Sequence, residues 1–237
     1  MITHTMTPTE MFNSILSDKK ELRYWIDKNK PKAEKKFSKQ IKFPKFEIVE
    51  YEHQKSKNNY LLLFYVQKGN ISVKEKVLLV FCDDKDKYFI DLCPFYDVYE
   101  ISVGSPISFF YTSHFFNRYR ERVLKNENLT MTEVIGCYFS GLTNLNLLDI
   151  NDNIIKDYKE KYGELSFAVL TNEGLCLGER GIYTTMSHCA NSNVNEVDVN
   201  IFKTFIPNYM LSNEQEKALI EEEFKYIDRY VKKVLFS

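Results

Sequence analysis

The chain has 237 residues, of which 44% are hydrophobic and 15% aromatic, and its formal net charge is −1. Such a chain can bury a real core as one large or two small domains, and its aromatic content excludes a disordered polypeptide. The balanced charge excludes a global field for nucleic acid or an anionic membrane, so any anion site must be local.

Five cysteines (Cys82, Cys93, Cys137, Cys176 and Cys189) form no Cys-x-x-Cys motif. The start has no basic or apolar leader segment, and no apolar run approaches ~18 residues. Together these predict buried thiols in a cytoplasmic protein with no membrane partner.

Thr7-Pro8-Thr9-Glu10 reads as a capping box with proline at the first helical position, followed by Met11, Phe12, Ile15 and Leu16 on one face. Asp18 to Glu21 reads as the cap of a second helix carrying Leu22, Trp25 and Ile26 and stopping before Pro31. Eight lysines then lie between Lys28 and Lys45 against the single acid Glu34, with Ala33, Phe37 and Ile41 at helical spacing. This segment reads as a solvated amphipathic helix in preference to a nucleic-acid arm, because it lacks arginines and interleaved aromatics.

After Pro44 the period becomes strand-like: Phe46 to Tyr51, Tyr60 to Gln67, Ile71 to Phe81, Tyr88 to Leu92, Val98 to Val103 and Ile107 to Tyr111. These lengths predict an antiparallel meander ending at the most chemically loaded run in the chain, Thr112 to Leu124. There Thr112 or Ser113 caps a helix whose one stripe holds His114, Arg118, Glu121 and Lys125, with Arg122 at its edge. The opposite face is Phe115, Phe116, Tyr119 and Val123. Half of the chain's six arginines (Arg118, Arg120 and Arg122) lie within five residues.

Guanidinium groups bind phosphate oxygens bidentately and stay charged. A histidine in a first helical turn beside arginines is held neutral, the form that acts as a base. The pattern suits an anionic group docked at the helix start. The plainer reading is a solvated face of Arg–Glu pairs, each contributing ~0.2–0.5 kcal/mol.

Thr130 to Glu133 is another capping box, opening a helix through Val134, Ile135, Tyr138 and Phe139 that Gly141 ends. Asn144 to Tyr162 reads as a loop and a third helix. Asp149, Asn151, Asn153 and Glu160 fit four calcium-loop positions, but Ile154 replaces the turn glycine and Lys156 the apolar residue. No two of the four histidines have metal spacing, so neither metal nor cofactor is expected.

Leu165 to Thr171, Leu175 to Glu179, Ile182 to Ser187 and Ile201 to Ile206 read as strands, the first two joined across Asn172-Glu173-Gly174. From Ser212 an amphipathic helix carries Ile220, Phe224, Ile227, Val231 and Val234 at steps of four and three. That spacing fits a coiled-coil seam or, more commonly, a stripe covering a sheet.

The expected class is α+β: a mostly antiparallel sheet with N-terminal helices, a central helix pair and a C-terminal amphipathic helix. Residues 1–44 form a helical arm, 45–111 a strand meander, and 112–237 the helix pair, further strands and last helix, in one compact unit with 45–111.

Residues of about 107 to 210 resemble the superfamily of small RNA-cleaving domains that includes the RelE-like toxins and the tRNase colicins. The likeness rests on Ser113-His114-x-x-x-Arg118-x-x-x-Arg122, a second helix, antiparallel strands with glycines (Gly174, Gly178 and Gly181), and Lys203-Thr204-Phe205-Ile206-Pro207 as a closing strand. The resemblance implies metal-independent cleavage of RNA in which the ribose 2′-hydroxyl attacks phosphorus. His114 would transfer the proton, Arg118 and Arg122 would stabilise phosphoryl charge, and Thr204 would orient phosphate or leaving group. Glu121 is then a candidate second acid or base, and Arg120 and Lys125 are candidate substrate-binding residues. The competing expectation is a non-catalytic module whose arginine face holds nucleic-acid phosphate or an acidic protein partner.

Overall fold

A computed structural model describes residues 2, 6, 8–82, 86–92, 107–142, 145–148, 158, 167–184 and 196–235, with some side chains excepted, among them those of 145–148 and 226–235. Its centre is a nine-stranded sheet ordered β1-β2-β3-β4-β5-β9-β8-β7-β6. The strands are β1 (Lys45–Glu52), β2 (Asn59–Val66), β3 (Lys74–Cys82), β4 (Lys87–Asp91), β5 (Ile107–Thr112), β6 (Leu145–Leu148), β7 (Phe167–Thr171), β8 (Gly174–Thr184) and β9 (Glu196–Pro207). Every pairing is antiparallel except that of β5 with β9 at the middle. The fold is α+β, as its alternating strands and capped helices predict.

The sheet is covered on both faces, which explains why β2 reads as a continuous apolar run: Tyr60, Leu62, Phe64 and Val66 turn to one side, and Leu61, Leu63 and Tyr65 to the other. The first side takes helix α1 (Pro8–Lys39) through Ile15, Leu22, Ile26, Ala33 and Phe37. The other takes the central pair, α2 (Ser113–Tyr119) and α3 (Met131–Gly141), through Phe115, Phe116, Tyr119, Val134, Ile135, Tyr138 and Phe139. Helix α4 (Asn213–Leu235) shares α1's side of the sheet, packing Ala218 and Leu219 on Ala168, Leu175, Leu177 and Ile206.

The N-terminal region differs from the expected short helices. A single helix runs 32 residues through Pro31. The proline is exposed, and the apolar stripe continues on both sides of it, so burial of Ala33 and Phe37 against the sheet outweighs the local break. Asp18 is no cap: it is fully buried inside α1. Ile41, expected to continue the Ala33–Phe37 stripe, lies beyond the helix and is 92% exposed. The lysine segment is anchored by pairs such as Lys30–Glu75 at 2.7 Å and Lys36–Glu47 at 3.2 Å.

Residues 185–187 lie outside the described residues, and the strand expected at Leu175 to Glu179 and the start of the one expected at Ile182 to Ser187 are a single strand, β8. It pairs with β9 across a register shift at Leu177/Gly178, where a side chain on Gly178 would lie 2.2 Å from the Ile201 carbonyl. Where a loop was expected to begin, Leu145–Leu148 is instead the edge strand β6. The Val98 to Val103 strand and the calcium-loop positions fall outside the described residues.

Candidate site on the arginine helix

Thr112 joins the last strand of the meander to α2. Its hydroxyl accepts from the Phe115 amide at 3.0 Å and donates to the Phe202 carbonyl of β9 at 3.1 Å. The N-cap therefore also fixes the helix start to the sheet centre. Ser113 donates to Asp86 at the head of β4, a second tie at the same turn.

His114 is half-buried one residue on, and burial depresses its pKa below the ordinary 6.5, with Arg118 adding to the depression. Asp86 and Glu121 oppose this, and Arg122 reinforces it. The neutral ring accepts from Arg118: Nε lies 3.3 Å from His114 Nε2. Arg118 Nη1 donates at 2.7 Å to the exposed carboxylate of Glu121, completing a His–Arg–Glu row.

The helix then widens into a π turn over Arg120–Leu124, closed by the Lys125 amide donating to the Arg120 carbonyl at 2.8 Å. Lys125 ends it in the left-handed conformation, φ 50°. Arg122 reaches the end of β9, where Nη1 donates to the Phe205 carbonyl at 2.7 Å. Arg120 turns elsewhere: Nη1 donates to the Leu129 carbonyl and Nη2 to Asn117 Oδ1, both at 3.1 Å. It braces the loop before α3.

The closing threonine is separated from this row. Phe205 packs with α2, whereas Thr204, its neighbour in β9, is paired across the ladder with Leu177, which faces α4. By strand alternation Thr204 lies on the opposite face of the sheet from His114, and it is fully buried. The structure thus places Thr204, for which the resemblance implies a phosphate-orienting role, apart from the α2 row, its buried hydroxyl on the far face of the sheet. His114, Arg118, Glu121 and Arg122 come together, Lys125 borders them, and Arg120 and Thr204 do not join.

Tyr209, which the sequence reading passed over, does join. It sits in a 3-10 turn (Asn208–Met210) directly after β9, its hydroxyl donates to the Arg122 carbonyl at 2.8 Å, and Lys125 Nζ lies 5.0 Å from its ring centre. The residue is 64% exposed. Pro207 ending the strand was the visible signal that the chain turns there; its proximity to Arg122 comes from a contact over 87 residues.

A second polar cluster was also missed. His53 Nδ1 lies 3.1 Å from Asp18 Oδ1, and Nε2 lies 2.9 Å from Glu21 Oε2, while Tyr51 donates to Glu21. Ser56, Asn58 and Tyr60 all donate to Asp18 Oδ2 at 2.6, 2.8 and 2.7 Å. Asp18 falls in register with Ile15, Leu22 and Ile26, so an acid on an apolar stripe was the signal. With His53 5% exposed and Asp18 fully buried, this cluster fastens α1 to the β1–β2 connection.

No protein-family model, curated protein or solved structure matches this chain. Among the described residues no group of three or more His, Cys, Asp or Glu is placed to hold a metal ion, and no helix is long and apolar enough to cross a membrane.

Proposed function

We propose that the chain binds single-stranded RNA, non-catalytically, along the face built by Arg118, Arg122, Lys125 and Tyr209. The observation that carries this reading is Tyr209, an exposed aromatic ring anchored by its hydroxyl to the arginine helix and flanked by a lysine. Basic side chains beside an exposed ring form the combination that neutralises phosphate and stacks a base. An acidic protein partner would need the charges but not the ring.

The arginines are available for exchange. Arg118 is held by the surface carboxylate of Glu121, an i,i+3 pair of the kind that contributes ~0.2–0.5 kcal/mol, less than a charge-assisted bond to phosphate at ~1.5–3 kcal/mol. Arg122 commits Nη1 to a carbonyl, and its remaining N–H donors can serve an anion.

Fluorescence anisotropy with a labelled single-stranded RNA tests the reading. Tyr209→Ala should weaken binding by roughly 5- to 150-fold, from ~1–3 kcal/mol per stacked base. Arg118→Ala/Arg122→Ala should weaken it and reduce the salt slope by ~1–2. His114→Ala should bind nearly as wild type. Absence of binding at low salt, or equal binding by all variants, would overturn it.

One observation favours a second reading, RNA cleavage: His114 is kept neutral 3.3 Å from an arginine. Fragmentation of the bound RNA by wild type, abolished in His114→Ala at unchanged affinity, would replace binding alone with catalysis.

A further inference from the structure

In its first half, among the described side chains, helix α4 lays one face against the body of the protein. Gln215, Ala218, Leu219 and Glu222 are buried, whereas Ile220 and Phe224 are 52% and 68% exposed. At 3.6 residues per turn, Ile220 and Phe224 lie nearly opposite the buried set. The first two residues of the stripe that sequence spacing would lay on the sheet, Ile220 and Phe224, therefore point away from it, and small Ala218 with Leu219 takes their place.

Along the sequence the exposed pair continues at Ile227, Val231 and Val234, at steps of four, three, four and three from Ile220. This 3.5-residue period marks a helix seam that seeks another helix, since a helix lying on a sheet needs only a broad apolar face. Helix α4 spans 23 residues, about 34 Å at 1.5 Å per residue, enough for three heptads.

The distribution of charge identifies the other helix. From Asn213 to Glu223 there are five glutamates and one lysine; from Phe224 to Leu235 there are three lysines and an arginine against one aspartate. An acidic half followed by a basic half is self-complementary when two copies run antiparallel, and self-repelling when they run parallel. A second copy of the same helix fits both the seam and the charges.

We infer that the chain forms an antiparallel homodimer through α4, with Ile220 and Phe224 of one copy packed against the C-terminal half of the seam in the other. The interface is isologous, so each substitution acts twice. It leaves Arg118 and Arg122 of the proposed RNA-binding face clear, because α2 and α4 lie on opposite faces of the sheet.

Sedimentation equilibrium of the full chain tests this over a range of concentrations. Wild type should sediment as a concentration-dependent dimer of the 28.1 kDa chain. Phe224→Glu should raise the dissociation constant about 100-fold or more, through two lost apolar contacts per dimer. Ile220→Glu, a separate variant, should do the same, and circular dichroism should show both folded.

Raising sodium chloride from low to high should weaken the dimer, since the charges attract. A monomeric wild type at high micromolar concentration, a dimer that survives both variants, or one that strengthens with salt as a parallel pair would, each overturns the inference.

Discussion

Tyr60 donates a 2.7 Å hydrogen bond to Asp18, fastening β2 to α1 across 42 residues of chain. With Ser56 and Asn58 it surrounds one carboxylate oxygen with donors, so a charge in the apolar stripe of α1 is compensated inside the protein. Burial raises the Asp18 pKa, and the hydrogen bonds from Ser56, Tyr60, Asn58 and Ser17 together outweigh it, leaving the carboxyl below its ordinary 3.8.

Asp18→Ala should cost about 3 kcal/mol in urea unfolding, because three donors, two of them buried, lose their acceptor at once. The pH dependence follows from the lowered folded pKa. The carboxylate's contribution is complete above the unfolded value of 3.8 and is lost as pH falls through the folded one. Wild type should therefore lose stability more steeply than Asp18→Asn on acidification below about pH 4.

The His114 ring reads the charges around it. Removing Arg118 (Arg118→Ala) should raise the His114 pKa, and Glu121→Gln should lower it, both measured by NMR titration of the ring protons. Because the folded value lies below 6.5, the unfolded chain takes up the proton first. This group's contribution to stability is full above pH 6.5 and declines as pH falls from there towards the folded pKa.

Gly136 on α3 lies against Phe46 of β1, so a methyl group there would fall 2.2 Å from the ring. Helix propensity alone would make Gly136→Ala stabilising by ~1 kcal/mol. Steric overlap should win, giving a net loss of about 1–3 kcal/mol in thermal or urea melts, with Phe46→Leu partly rescuing it.

Thr204 carries a buried hydroxyl with no hydrogen-bond partner among the described residues. Thr204→Val should leave stability unchanged or raise it by up to ~1 kcal/mol, and RNA affinity should not move. A large loss of RNA binding in this variant would return Thr204 to the site.

Local signals were legible in the sequence and long-range ones were not. Thr130 and Glu133 form the reciprocal capping box that their spacing announces, with the Thr130 amide 2.8 Å from Glu133 Oε2. Likewise Thr112 caps α2, and four strands of the meander fall close to their expected places, because period and turn chemistry lie within a few residues.

The parallel pairing of Tyr111 with Phe202 has no such local mark. Nor does the burial of Asp18, since a polar residue after Ser17 looks like a cap until Tyr60 is brought beside it. At the site, the helix start and the clustering of arginines could be read, but the π turn and the side of the sheet taken by Thr204 could not. A one-residue change of register decides both.

The parallel β5–β9 junction has a further consequence during synthesis. Strands β1 to β5 can zip together as neighbouring segments emerge from the ribosome, but β9, which flanks β5, is made only after β6, β7 and β8. Until then β5 presents an open edge with apolar Phe109, Phe110 and Tyr111 beside it, a template for another nascent chain. Chains truncated before Glu196 should accordingly be prone to aggregate even though their first five strands are intact. The last strand thus serves as the clasp that makes the earlier half safe to expose.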